Sequence, residues 1–398
     1  MQATQILNHR FRNILSLNKS LTVLLVALFF FLPLSLSLRA ICFAGLLVPL
    51  CLNMSAPDAF RAAWSEPWCK ALLIFLVFIL ISCFWSSAPG HEQYVIVRKN
   101  LKYLALPVLV AAFHLTKAQY PALFALLSGL LLVCFISIVQ YFGLYTNALH
   151  DSGTVFFNHI FTGLMMVYGA YLCTWLFLEK KNGHRLLWAF FLSLFLFQII
   201  YANTSRTAYV LMPLLLLFLA LQYCNRKQFA LGLLCCTLFL PIAYYTSPAL
   251  QEGVRSVTED LKKYKQNEKD TNVGFRLQLH QYAESLTKKH PLIGNGVGSF
   301  SFYFYRDNPL PNLHPSVVHP HGDYWLITTE QGFIGLGLFF MLITMLFFRS
   351  WSLPTLRAPA LGILGLMLIG NFSDSLMFNS ATGYFILSIL GLCLSEEL

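Results

Sequence analysis

Tyr120 to Gly143 reads YPALFALLSGLLLVCFISIVQYFG, 24 residues without a charge. An α-helix rises about 1.5 Å per residue and the hydrocarbon core of a bilayer is about 30 Å thick, so about 20 such residues cross it. The run does not alternate polar with apolar residues, which excludes a strand of a membrane barrel. The same texture pervades the chain of 398 residues, which is 57% hydrophobic and 11% charged. Soluble domains carry about 25% charged residues. A water-soluble globule cannot hide so much apolar surface, and a disordered chain is polar and charge-rich.

Eleven further apolar runs lie on either side, at 21–38, 40–54, 70–85, 100–115, 157–178, 186–202, 207–223, 228–246, 323–348, 358–378 and 380–395. The expected fold is all-α: a polytopic integral membrane protein with about twelve transmembrane helices and one long, partly helical loop. Residues 1–246 form an N-terminal membrane region of about nine spans, 247–322 the loop, and 323–398 a C-terminal region of about three. The first run, behind Arg10, Arg12 and Lys19, is too long for a signal peptide core, and no small-x-small cleavage site follows it.

The net charge of +10 reads as the basic bias of membrane loops rather than as a nucleic-acid footprint. With the N-terminus inside, the inner segments carry 13 Lys and Arg and the short outer ones 5, while the long loop holds the other 9 of 27. Both termini are therefore expected in the cytoplasm and 247–322 outside. The ten cysteines lie in or beside apolar runs and form no CxxC pair, so neither a disulfide framework nor a zinc site is expected.

Only the long loop has room for a soluble site. Val254, Val257, Leu261 and Tyr264 recur at helical spacing, as do Phe275, Leu279, Tyr282 and Leu286. Arg276 and His280, at i and i+4, share a face of the second helix. His290-Pro291 ends it, and Gly294, Gly296 and Gly298 follow as an ordinary turn without the Lys-Ser/Thr of a P-loop. The aromatic run 300–305 reads as an interfacial or core segment before it reads as a sugar platform.

Four features compete to carry chemistry. His314, His319, His321 and Asp323 crowd the approach to the tenth run. They read as a metal cluster, as plain loop histidines, or as a catalytic or substrate-contacting histidine. His321 is placed best, where a helix should begin at the membrane surface with Tyr324 and Trp325 behind it. Arg206, between two runs with almost no loop, reads as an arginine reaching for headgroups or as an anion clamp. Arg276 reads as a solvated helix face or as a second clamp. The glycine turn is the weakest of the four. Glu268 and Asp270 read as an exposed charge run rather than a metal pair.

The stretch from His321 to Gly335, HGDYWLITTEQGFIG, resembles the signature of bacterial O-antigen ligases. In that signature a His, usually followed by Asn, Ser or Gln, precedes nine residues, a Gly, two residues, and a Gly, Thr or Tyr. The spacing registers on His321 and not on His319; Gly322 departs from the usual polar residue. Thr204-Ser-Arg206-Thr-Ala, Gly274-Phe-Arg276 and Pro291-Leu-Ile-Gly294 through Phe300 are similar to the wider superfamily of ligases, polymerases and O-oligosaccharyltransferases.

The resemblance implies transfer of a polysaccharide from undecaprenyl pyrophosphate to lipid A–core at the periplasmic face of the inner membrane. It implies His321 as catalytic base and Arg206 and Arg276 as pyrophosphate clamps. Arg98 and Lys99, at an outer membrane edge but in no registered motif, are a further pair of candidates. Inversion is expected, with no metal, cofactor, nucleotide or nucleic acid. A polymerase or protein O-oligosaccharyltransferase differs only in acceptor. A lipid-linked oligosaccharide flippase or transporter should show repeated halves and mid-membrane charges; no repeat is found, and Asp374 and Glu330, the main intramembrane candidates, lie near outer ends.

Overall fold

The computed structural model describes residues 2–145, 153–179, 183–311 and 319–397. His314 lies outside them. Helices account for the regular structure of the described residues, with no strand among them. Each of the twelve apolar runs is helical over most of its length. Among the described residues, seven helices are long and apolar enough to cross a membrane, or eight if Leu36–Leu52 and Ala56–Ser65, bent by 109°, form one span. Ser16–Phe31, Arg357–Ser373 and Ser380–Leu394 are apolar but shorter. The run near 100–115 becomes a 3-10 turn, Leu101–Leu104, and a helix of 12 residues, Ala105–Thr116. Twelve residues rise only about 18 Å, so this stretch is shorter than the run suggested.

The described residues of the 247–322 segment hold three helices, Pro248–Lys265, Asn272–Thr287 and Ser299–Asp307. Ser247 and Thr271 cap the first two by accepting backbone N–H groups. The two expected helices are present, but the stripe of the first is not buried: Val254 is 46% and Leu261 41% exposed. In the second, Leu279 and Leu286 are buried. The aromatic run is the third helix, which places Phe300 and Phe304 in the core and leaves Tyr305 exposed.

The helix Asp323–Trp351 is broken at Gly332, whose φ of 66° and ψ of −168° suit only glycine. The break frees backbone groups, and the glycine turn takes them up. Asn295 and Gly296 donate N–H to the carbonyls of Thr329 and Glu330, at 3.0 and 2.8 Å. Phe333 and Ile334 donate to the carbonyls of Pro291 and Leu292. A Cβ on Gly294 would stand 2.4 Å from the Glu330 carbonyl, and one on Gly332 2.3 Å from that of Leu292. The turn and the break are thus one device that seats the 272–287 helix against the start of the 323–351 helix.

Candidate functional site

One end of the bundle gathers the starts of Arg206–Tyr223, Asp323–Trp351 and Ser380–Leu394, the end of Arg357–Ser373, and the 272–287 helix. His321 stands two residues before the 323–351 helix, with φ of 55°. Three bonds hold this strained corner. The backbone N–H of His321 donates to His319 Nδ1 at 3.2 Å, and that of Gly322 to Ser375 Oγ at 2.9 Å. His280 Nε2 donates to the His321 carbonyl at 3.2 Å. These bonds fix tautomers: neutral His319 carries its proton on Nε2, and neutral His280 on Nε2 as well. The His280 ring stacks on Trp325 at 5.3 Å, and the His319 and His321 rings meet edge-on at 4.8 Å.

Arg276 projects from the same helix face as His280. Its Nη2 lies 3.5 Å from Asp374 Oδ1, and Thr207 Oγ1 donates to Asp374 Oδ2 at 3.4 Å. Arg206 Nη1 lies 3.8 Å from Asp260 Oδ2. Each arginine side chain is 35% exposed and retains an open side. Arg206 is the first residue of its helix and Asp374 follows the last residue of another. A cation at a helix N-terminus and an anion at a C-terminus both oppose the helix dipole, so neither residue is placed for helix stability.

Lys99 comes into this cluster and Arg98 does not. The Lys99 ammonium sits 3.6 Å above the Phe378 ring, whose other neighbour is His319 at 5.2 Å. Arg98, one residue away on the helix Gly90–Asn100, turns outward over Tyr94 and is exposed.

The electrostatics follow from burial among cations. Burial pushes the His321 imidazole down to about 4, with Arg276 and His280 adding to the shift. His319 is pushed down to about 3 by burial, then by His321, Lys99 and Arg276. His280 is lowered by burial and Arg276, partly offset by its bond to the His321 carbonyl. At neutral pH the three imidazoles are uncharged inside a cationic rim. Among the described residues no three His, Cys, Asp or Glu side chains converge as metal ligands.

The motif spacing singles out His321, and two further stretches single out Arg206 and Arg276. In the sequence Asp374 is placed near an outer end only as an intramembrane charge, and its pairing with Arg276 is not foreseen. Gly322 also has a local reason. A Cβ there would meet Trp325 Cδ1 at 3.2 Å and the Phe372 carbonyl at 3.4 Å, so the packing of Trp325 on His280 fills the room that a larger residue needs.

No curated protein matches the chain. Residues 191–340 match the model of a family described as O-antigen ligase. The matched segment contains Arg206, Arg276, the glycine turn, His321 and the Gly332 break, so over these residues the chain is similar to the O-antigen ligase family.

Proposed function

We propose that this protein is an O-antigen ligase. It moves a polysaccharide from undecaprenyl pyrophosphate to a sugar hydroxyl of lipid A–core, on the periplasmic face of the bacterial inner membrane, with both termini cytoplasmic. The observation that carries this reading is a neutral His321 held beside Arg276 and the Lys99 side of His319 at one end of an apolar bundle. The match of residues 191–340 to the O-antigen ligase family model supports a lipid-linked glycan as the class of substrate.

The chemistry follows from these groups. The acceptor hydroxyl gives its proton to the His321 imidazole as its oxygen attacks the anomeric carbon. The bond from that carbon to the pyrophosphate oxygen breaks, and the configuration inverts. The departing pyrophosphate carries its charge onto Arg276, Arg206 and Lys99; two planar forks suit its oxygens. Arg206 at a helix N-terminus adds backbone N–H groups to the same anion site. No metal or nucleotide is needed, because the donor already carries a good leaving group. Tyr324, Trp325, Phe333 and Phe372 form the apolar wall of a groove that opens beside His280, with the Glu284–Lys288 ion pair on its other rim, and that wall suits the isoprenoid chain.

The test is transfer by purified protein from undecaprenyl-pyrophosphate-linked glycan to core lipid, with chelator and without nucleotide. Product on the core lipid is expected. Chain extension of the donor glycan instead would make it a polymerase, and a need for added metal would remove the mechanism. A carrier shortened to a few prenyl units should raise KM, and an unchanged KM would remove the groove from the account.

A further inference from the structure

Three charged side chains are buried beneath the site: Arg39 at 6%, Lys102 at 5% and Asp323 at 3% exposure. Removing a charge from water costs several kcal/mol even after relaxation, so their common target is informative. Asp323 Oδ2 accepts the N–H of Met377 at 2.5 Å, and Oδ1 that of Phe378 at 3.2 Å. Lys102 Nζ donates to the carbonyls of Phe378 and Asn379 at 3.0 and 3.3 Å. Arg39 donates to the carbonyls of Ala381 and Ser380 at 3.2 and 3.4 Å. All three grip the backbone of one turn, 377–381, from three distant parts of the chain. Gly383 leaves the room this needs, since a Cβ there would stand 2.9 Å from Lys102 Cε.

Phe378 is held at both backbone ends, its N–H by Asp323 and its carbonyl by Lys102, while its ring lies between Lys99 and His319. Immediately upstream of the turn, Asp374 faces Arg276 and Ser375 accepts the N–H of Gly322. The turn therefore touches the cations on one side and the His321 corner on the other. We propose that Asp323 and Lys102 are positioning residues, which clamp the Phe378 backbone and so fix the spacing of Lys99 and Arg276 relative to His321. This rests on the proposed transfer reaction, in which base and leaving-group cations act on opposite sides of one carbon.

The experiment uses the full-length protein in detergent or nanodiscs. Lys102→Met, Lys102→Arg, Asp323→Asn, Phe378→Ala and the double variant Lys102→Met/Phe378→Ala are compared with wild type at equal folded amount. Two quantities are read: amide exchange of the peptide covering 374–381, and kcat and KM for undecaprenyl-pyrophosphate-linked glycan. Exchange of the turn should rise about tenfold or more in Lys102→Met and Asp323→Asn, as local opening becomes easier. Their kcat should fall about 100-fold with KM changed far less, since a misplacement near 1 Å costs that much. Lys102→Arg should recover part of the loss. In the Phe378→Ala background, Lys102→Met should cost only about threefold more, because groups acting as one unit are not additive.

Losses that multiply in the double variant, or unchanged exchange in Asp323→Asn, would overturn the proposal. If Lys102→Met does not fold, Lys102→Arg with Asp323→Asn decides the same point. Wild-type protein that transfers nothing would sink the proposed reaction, while the exchange data would still judge the clamp.

Discussion

Asp374 and Arg276 meet at 3.5 Å across two elements nearly 100 residues apart in sequence. The pair joins the end of the 357–373 helix to the face of the 272–287 helix that also presents His280. Asp374 in turn accepts from Thr207, the neighbour of Arg206. One carboxylate thereby sets the aim of one arginine and touches the helix start that carries the other.

Asp374→Asn should leave the fold intact and lower transfer about 10- to 100-fold, because Arg276 loses its anchor while keeping its charge. Arg276→Lys and Arg206→Lys should also fall sharply, since an ammonium cannot replace a planar fork. Initial rates at equal folded amount check both statements. Full activity in both lysine variants would remove the phosphate role.

The pH dependence has a definite sign. His321 in the free protein is lowered to about 4 by burial and Arg276, so it is already neutral well below the ordinary imidazole range. The acid limb of kcat/KM should therefore lie near 4 to 5. An anionic pyrophosphate bound at Arg276 offsets that arginine's effect, so the acid limb of kcat should lie higher. The same depression affects stability. The unfolded chain takes up protons on these histidines near 6.5, whereas folded His319 and His321 wait until about 3 and 4. Stability should fall as pH drops from about 6.5 towards 4, with more protons bound by the unfolded state. A kcat limb below that of kcat/KM would reverse the argument.

Gly332 tests the link between break and turn. Gly332→Ala meets the Leu292 carbonyl at 2.3 Å from a backbone that only glycine adopts, and should cost about 3 kcal/mol or more. Gly337→Ala, with nothing within 4 Å of its Cβ, is the control and should be close to neutral. Thermal midpoints in detergent distinguish them, and equal midpoints would mean that the break is not required.

Much of this arrangement was legible in the sequence, and the reasons differ by element. Apolar runs give helices because a bilayer demands satisfied backbones, so the twelve helical runs were visible, although among the described residues only seven, or eight with the bent pair, are long and apolar enough to cross a membrane. Their lengths were not: composition alone does not reveal that 100–115 divides into a 3-10 turn and a short helix. Arg276 and His280 could be read as neighbours because i and i+4 residues share a face. The glycine turn read as structural, and it is. Its partner, the Gly332 break, was hidden because Gly332 sits inside an apolar run that reads as one helix, and only tertiary bonds reveal the interruption. Asp374, Phe378 and the Lys102–Asp323 clamp depend on contacts between residues 54 to 276 positions apart, which no local pattern encodes.

The basic asymmetry, 13 inner against 5 outer Lys and Arg when the twelve runs are counted as spans, predicts that the 248–265 helix faces the periplasm. Single cysteines placed at exposed positions of the 248–265 helix, in an otherwise cysteine-free chain, should react with an impermeant maleimide in intact spheroplasts. Labelling only after lysis would invert the orientation and with it the face on which transfer occurs.

The most direct measurement is transfer by His321→Ala beside His319→Ala and His314→Ala, each at equal folded amount. Loss of a positioned general base typically costs about 10²- to 10⁴-fold, so His321→Ala should be silent. His319 supports the corner through one bond to the His321 backbone, and His319→Ala should keep a measurable fraction of activity, as should His314→Ala. A folded and active His321→Ala with a dead His319→Ala would contradict the account, and three dead variants restored by zinc would replace it with a metal site.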